Sequence, residues 1–496
     1  MKKLFIIFAI LASSGLLFAQ NEVDGLRYSQ LYNFGTARSS AMGGAFGALG
    51  GDFISLSTNP AGMGVYRHSE LTFTPVINMN KVSADYYGSS ASDARTNLAM
   101  SNLGVVFSFT SGDSQDEWKS VNFGFGYNRL ADFYSRSTFE GVNNESSMLD
   151  YFLPKTEGKT YDEFDYFFEG LAWETFLIDY ENFVEGQYAS VLSNWSDSIS
   201  PVYDLQQTKS TMGSGSVGEI PISLAANYMN KLYIGASLGI QSLKYNESYK
   251  YTESDIDNKN PYLDYYDFEQ STSTRGFGLN LKFGMIYRPI EWVRIGAAVH
   301  TPTFYELNYR YNSSIYAKFD TVIYDGSSAF SSESPEGEYD YTVTTPFRAI
   351  GSLAFIIKKM ALLSIDYEFV DYSKIQLGSA DAGTFNEANN AMQTNYIATS
   401  NLRAGLEYRY GPFSLRGGFA YFGNPYAGSA AQVDASRMLY SGGFGIRDNN
   451  LLFNLSYVYM QGKEKHYPYN VENIPNEGAT MSLTNSQIMA TFGVRF

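Results

Sequence analysis

Cysteine is absent from this chain of 496 residues, histidine occurs three times, and beyond the first nineteen residues no apolar run reaches the length of a membrane-spanning helix. The lack of cysteine removes disulfides and thiol chemistry together. His68, His300 and His466 lie apart without metal-ligand spacing, which assigns no metal site and gives haem few candidate axial ligands. No Gly-x-Ser-x-Gly occurs and no serine, histidine and acid set stands out, so no catalytic residue and no cofactor are assigned and the chain reads as a non-enzyme. A formal charge of −16 argues against nucleic acid as a partner, because neutralising phosphates needs a basic face. The apolar run 350–357 stops at Lys358 and Lys359, far short of the roughly 20 residues a helical span requires.

What is plentiful is the aromatic ring: 41 Tyr and 36 Phe stand against only 17% charged residues. Rings with one apolar end and one wet end gather at the two interfaces of a membrane barrel. Lys2 and Lys3, the apolar stretch 4–18 and Ala19 before Gln20 read as a secretory signal peptide, residues 1–19, cut after Ala19; no lipobox cysteine follows.

From residue 69 to 496 the dominant hydropathy period is two. Val121, Phe123, Phe125 and Tyr127 alternate with Asn122, Gly124, Gly126 and Asn128, and Leu402, Ala404, Leu406 and Tyr408 alternate with Arg403, Gly405, Glu407 and Arg409. One face suits hydrocarbon and the other a polar lumen. Strands are expected near 69–79, 101–111, 119–129, 217–228, 231–247, 273–288, 291–311, 339–357, 360–377, 401–409, 412–422, 437–447, 451–461 and 485–496. Short joins fall near 111–118, 229–230, 289–290, 358–359, 410–411 and 448–450, with a longer connection between each two of them. Outer-membrane barrels place short turns on the periplasmic side and long loops outside. The expected fold is therefore all-β: a transmembrane antiparallel β-barrel of about fourteen strands with long extracellular loops and both termini periplasmic. Phe496 closes an amphipathic last strand and resembles the signal that barrel-assembly machinery reads.

Residues 20–68 do not read as barrel. Small residues dominate 35–52, and Asn59-Pro60-Ala61-Gly62-Met63 starts a tight turn, because proline fixes its own φ and pushes its predecessor out of helix. A barrel of this width needs water or a folded segment inside it, and 20–68 is the expected plug. Here the chain resembles the outer-membrane long-chain fatty acid and hydrocarbon transporters of the FadL type. The resemblance rests on Gly35 to Ala45 (GTARSSAMGGA), Asp52, Asn59 to Met63, Arg294 to Phe304, Ala361 to Ile375 and Leu402 to Tyr421. It implies a fourteen-stranded barrel closed by an N-terminal hatch, with Gly43, Gly44, Asn59, Pro60 and Ala61 in the gate. It also implies capture of a hydrophobic ligand at the outer loops and sideways exit at a kink in the third strand. Asn128, Arg129 and Asp132 mark the candidate opening, since the apolar phase shifts from Phe125 and Tyr127 to Leu130 and Phe133; a bulge and a strand simply ending in its loop both explain that shift.

The connection 141–216 holds thirteen acids against three bases, Lys155, Lys159 and Lys209, so much of the negative charge is local. Trp173, Leu177, Tyr180, Val184, Tyr188, Val191 and Trp195 recur at three- and four-residue spacing and predict an amphipathic helix over the outer mouth. Its stripe is either a landing groove for ligand, through Trp173, Leu177 and Tyr180, or a face that packs on neighbouring loops. Arg348, Asp366, Glu368, Arg403, Glu407, Arg409 and Arg416 are expected to face the lumen, as a salt-bridged wall or with Arg403 or Arg416 meeting a ligand carboxylate.

The expected function is passive outer-membrane passage of a hydrophobic small molecule, gated by the hatch. The expected partners are that ligand, outer-membrane lipid with lipopolysaccharide, and the assembly machinery, and a monomer is expected. The alternatives are a barrel that binds a protein partner in a secretion system, as a surface shuttle, and a structural or adhesive outer-membrane protein.

Overall fold

The computed structural model describes residues 22–496 apart from 33–34, 112–116, 194–200, 359, 382, 429–432 and 470–476. The expected signal peptide, Trp195 and Lys359 lie outside the described residues.

Fourteen antiparallel strands form one closed ring. They are β1 (Glu70–Tyr86), β2 (Ser89–Thr110), β3 (Trp118–Asp132, resumed at Ser135–Asn143), β4 (Leu205–Tyr228), β5 (Leu232–Ser254), β6 (Leu263–Ile290) and β7 (Val293–His300, resumed at Phe304–Phe319). They continue as β8 (Ala329–Glu333, Gly337–Thr344 and Arg348–Ile357), β9 (Ala361–Asp371 and Gln376–Gly378), β10 (Ala398–Tyr410), β11 (Phe413–Phe422), β12 (Arg437–Asp448), β13 (Leu451–His466) and β14 (Ala479–Arg495). Each strand pairs with its sequence neighbours, and β14 closes on β1 from Glu70 opposite Arg495 to Asp85 opposite Thr480. Closure leaves no bare edge around the ring as a whole, which is what allows a sheet to stand in hydrocarbon.

The period of two explains which face is which. Leu71, Phe73 and Ile77 on β1, Val121, Phe123 and Phe125 on β3, and Leu402, Leu406 and Tyr408 on β10 all point outward and are exposed. Their inward neighbours, among them Asn122, Asn128, Arg403 and Glu407, are buried. An exterior of large apolar side chains over a polar interior inverts the pattern of a water-soluble barrel and fits a membrane-spanning one.

Several strands run further than the hydropathy pattern predicts. Residues 80–100, expected as a loop, extend β1 and β2 into one hairpin paired from Glu70 opposite Val106 to Tyr86 opposite Ser89. Its turn is only Tyr87 and Gly88, both at positive φ, so the first two strands are joined by a two-residue turn and not by a long loop. In the extension the apolar Val82, Ala84 and Tyr86 point inward and Lys81 and Asp85 outward, the reverse of the apolar-out pattern of the spanning part, and the facing stretch of β2 is mostly polar, so no hydrocarbon-facing alternation announces it. β4 likewise begins at Leu205 rather than near 217, because its first half pairs with the resumed part of β3 above the apolar band.

The amphipathic helix predicted over 173–195 does not form in its described part, 173–193. Two short helices, α4 (Leu149–Phe152) and α5 (Glu169–Glu174), are followed by a two-stranded ribbon, Ile178–Tyr180 against Tyr188–Ser190. Phe176 and Asn182 adopt positive φ, which ends helical winding at both places. The three- and four-residue spacing survives because the ribbon folds Tyr180 and Tyr188 back onto Trp173, with ring centroids 4.9 and 5.7 Å away.

Candidate functional site

Inside the ring lies the N-terminal segment. Helix α1 (Glu22–Ser29) leads to α2 (Ala37–Ala41), α3 (Ser55–Thr58) and a tight 3-10 turn, Pro60–Val65. Thr36 caps α2 in a reciprocal box with Ser39, and its hydroxyl also donates to both carboxylate oxygens of Asp52 at 2.9 Å. That one residue ties the start of the segment to its middle. Burial raises the Asp52 carboxyl above the ordinary carboxylate range, against the opposing pull of Arg38.

The residues assigned to the gate sit where this segment meets the wall. Gly43 and Gly44 have φ of +63° and +77°, and a Cβ on Gly43 would stand 2.8 Å from the Phe419 carbonyl oxygen of β11. Asn59 caps the 3-10 turn by accepting from the Ala61 N–H at 3.1 Å, while its amide donates to the Gly47 carbonyl at 2.6 Å and reaches the Met285 carbonyl of β6 at 3.3 Å. Pro60 sits at the first position of the turn, where a missing N–H costs nothing. On the wall side, Gly235 and Gly284 make room: a Cβ on Gly235 would fall 2.5 Å from Pro60, and one on Gly284 would run into the Asn59 side chain. Every one of the fourteen strands comes against this segment, from Tyr66 on Glu70 and Ala37 on Thr491 to Gly47 on Asp366 and Gly43 on Ser441. A segment that touches all strands of a closed ring is inside it.

Charged wall residues hold the segment. The Glu407 carboxylate accepts from Arg38 of α2 at 2.9 Å, from Arg416 at 2.5 Å and from Arg409 at 2.6 Å. Glu368 accepts from Arg348 at 2.7 Å, Arg403 at 2.8 Å and Asn401 at 3.0 Å. Arg403 and Arg416 are thus buried and paired with wall carboxylates.

Beyond the segment on its α1 side the lumen is packed with rings and aliphatic chains. Leu26 and Tyr28 of α1 meet Leu130, Val217, Tyr245, Tyr305, Tyr309 and Tyr341 from the wall. A connection after β9 folds inward to complete this core: helix α6 (Asn386–Asn395) brings Met392, and Ile375 precedes it. The sequence reading missed this insertion, whose apolar residues are few and spaced among asparagines. Between α1 and the wall remains a cavity of about 20 Å³, lined by Tyr28, Leu130, Lys282, His300, Tyr305 and Arg348. That is room for about one water.

Leu130 links this cavity to the third strand. β2 and β3 pair only from Thr110 opposite Ser120 to Asn102 opposite Asn128, after which β2 pairs with β1 alone and β3 with β4 alone. The β3–β4 register shifts between Arg129 and Ala131, and the Leu130 carbonyl accepts from the Tyr32 N–H of the inner segment at 3.0 Å. Side chains bridge the interrupted seam. The Asp132 carboxylate accepts from Arg129 at 2.8 Å, Asn78 at 3.2 Å, Asn97 at 3.4 Å and the Tyr134 N–H at 3.0 Å. Asn128, Arg129 and Asp132 therefore lie at the point where the wall's backbone bonding stops.

The outer-loop residues do something more ordinary. Leu177 is fully buried with Leu149, Phe152 and Leu171, while Trp173 stacks on Tyr161 and, with Tyr180, is half-buried in a ring cluster. Beneath them Glu253, which sequence reasoning passed over, accepts from Ser147, Tyr251, Tyr266, Gln207 and the Met148 N–H and so pins the loop to the rim.

No protein-family model matches the sequence, and no curated protein matches it. Solved structures do. A FadL homologue of Pseudomonas aeruginosa superposes with a TM-score of 0.54 at 12% identity, covering 93% of this chain and 98% of its own. The toluene transporter TodX of Pseudomonas putida superposes with a TM-score of 0.53 at 13% identity, covering 94% and 99%. Strand number, closed ring and near-complete mutual coverage together show that this chain has the fold of the FadL-type outer-membrane barrels.

Proposed function

We propose that the protein is an outer-membrane conduit for hydrophobic small molecules, with the segment 20–68 as its hatch. The observation that carries this reading is the inner segment itself, held in contact with all fourteen strands and packed on its α1 side into a core of tyrosine and aliphatic side chains. Apolar burial at roughly 25 cal/mol per Å² would supply most of the affinity once the core opens. The likeness to a FadL homologue and to a toluene transporter supports the same class of cargo. The seam beyond Asn128 is the proposed lateral exit, and the short-turn end, where β1 begins and β14 ends, is the proposed periplasmic end; α1, packed on α6 of a long connection, lies toward the other end. No catalytic group and no nucleotide enter this scheme.

Reconstituted in liposomes, the protein is expected to speed entry of a labelled long-chain fatty acid or toluene well above that of empty vesicles. Entry no faster than through empty vesicles for both probes, together with a stoichiometric protein partner retained in mild detergent, would overturn the reading in favour of a surface shuttle.

A further inference from the structure

The end of the barrel that carries the short turns is basic, although the whole chain bears −16. A cavity of about 360 Å³ opens there between the inner segment and the wall, and six arginines line it: Arg38, Arg67, Arg294, Arg409, Arg447 and Arg495. Two wall carboxylates answer them. Glu407 takes Arg38 and Arg409, together with Arg416 behind them, and Glu70 takes Arg495 at 2.8 Å. Asp52, also nearby, is bound to Thr36 within the inner segment. Among the described residues Arg67 donates to the Asn230 side-chain oxygen alone, and Arg294 to the Leu49 carbonyl alone while its Nε is buried without a partner. Arg447 is paired with no carboxylate among the described residues. Collecting guanidiniums in one cleft without matching carboxylates costs electrostatic energy, and it is sustained where a ligand supplies the missing negative charge. Leu49, Val65, Ile356 and Leu362 add apolar lining to the same cavity.

We infer that this mouth is a binding site for an amphiphilic oxyanion, a carboxylate or phosphate carried on a short alkyl group. The planar guanidiniums of Arg67, Arg294 and Arg447 receive the oxyanion, for which their forked donors are matched, and the alkyl group lies on Leu49, Val65, Ile356 and Leu362. The lining residues stand on the inner segment and on the inward face of the wall, so the occupant is a free molecule rather than the headgroup of a lipid in the surrounding leaflet. The site is separated from the tyrosine core by the inner segment and does not depend on what crosses the barrel.

The test is calorimetric titration of the full protein in a neutral detergent, at low ionic strength, with octyl phosphate, octanoate, octanol and inorganic phosphate. Octyl phosphate and octanoate are expected to bind at least about tenfold more tightly than octanol, the difference that one charge-assisted contact provides. The double variant Arg67→Gln/Arg447→Gln is expected to lose about tenfold in affinity for the two anions, or one site from their stoichiometry, with octanol unchanged. Heat-modifiable gel mobility confirms that the variant is folded. Octanol binding as tightly as the anions, or full retention of anion binding by the folded variant, would overturn the site. Inorganic phosphate matching octyl phosphate would overturn the amphiphile. Phosphatidylglycerol in a nanodisc competing with octanoate would overturn the free ligand.

Discussion

At the scale of single residues, the inner segment is held by a few buried charges whose partners lie hundreds of positions away. Glu407 is shared by Arg38, Arg409 and Arg416, and removing its charge leaves cations buried with a neutral neighbour. Glu407→Gln is expected to cost about 3 kcal/mol, read as a lower urea midpoint for the detergent-purified protein. An unchanged midpoint would mean that the cluster is hydrated rather than buried. Asp24 in α1 behaves differently: burial raises its carboxyl to about 6, against the lowering influence of Arg27. Its folded value lies above the unfolded one, so the folded form binds more protons between those two values and docking of α1 is favoured below them. As pH rises from about 4 through 6, that docking should weaken by at most about 3 kcal/mol and then level off. Hydrogen exchange of the α1 amides at pH 4.5 and 7.5, corrected for intrinsic rates, should show more protection at the lower pH. Asp24→Asn should abolish the difference.

At the scale of elements, β3 is the strand whose behaviour matters most. It leaves β2 after Asn128 while β4 follows it, and the seam that remains is closed by the side chains around Asp132 rather than by a backbone ladder. Such a seam can part without unzipping a sheet, because its bonds are few and side-chain borne. Asn97 and Asp132 face each other across it at 3.4 Å, and the chain has no cysteine of its own. Bridging an Asn97→Cys/Asp132→Cys protein with a short bifunctional maleimide is expected to reduce uptake about tenfold or more, with the unbridged double variant still active. Equal uptake before and after bridging would place the exit elsewhere. The outer loop teaches a complementary lesson, since a helical spacing of aromatic residues there serves a short helix and a ribbon stacked on each other.

At the scale of the whole molecule, a wide ring is filled by its own N-terminus and by the inward fold that carries α6. The inner segment is built to the wall rather than merely placed within it, because wall glycines such as Gly235 and Gly284 leave space for its backbone and for nothing larger. Removing residues 22–66 should therefore leave an intact barrel with an open lumen. In planar bilayers the deletion is expected to conduct ions steadily where the complete protein conducts little. A deletion that stays closed would show that the α6 connection blocks the lumen by itself. Gly284→Leu should do part of the same work, raising conductance by displacing Asn59, and it serves as a milder check on a chain that still carries the segment.

The fold class was legible in the sequence because hydrocarbon outside and polar groups inside impose a period of two on every spanning strand. Val121, Phe123 and Phe125 against Asn122 and Asn128 state it plainly, and the wall charges from Arg348 to Arg416 fall on the buried face that parity assigns them. The small residues of 35–52 and the Asn59-Pro60 turn likewise announced a segment that packs closely on something. Tertiary structure alone decided the rest. Strand residues beyond the apolar band, as in 80–100, carry no outward apolar alternation, and both their pairing and the inward packing of Val82, Ala84 and Tyr86 on Phe139 and Met481 are set by the closed barrel. The aromatic spacing of 173–191 fits a helix or a folded ribbon equally well until Phe176 and Asn182 take positive φ. Six arginines scattered from Arg38 to Arg495 become one basic mouth only when the barrel closes, because proximity across a ring is set by the ring and not by distance along the chain.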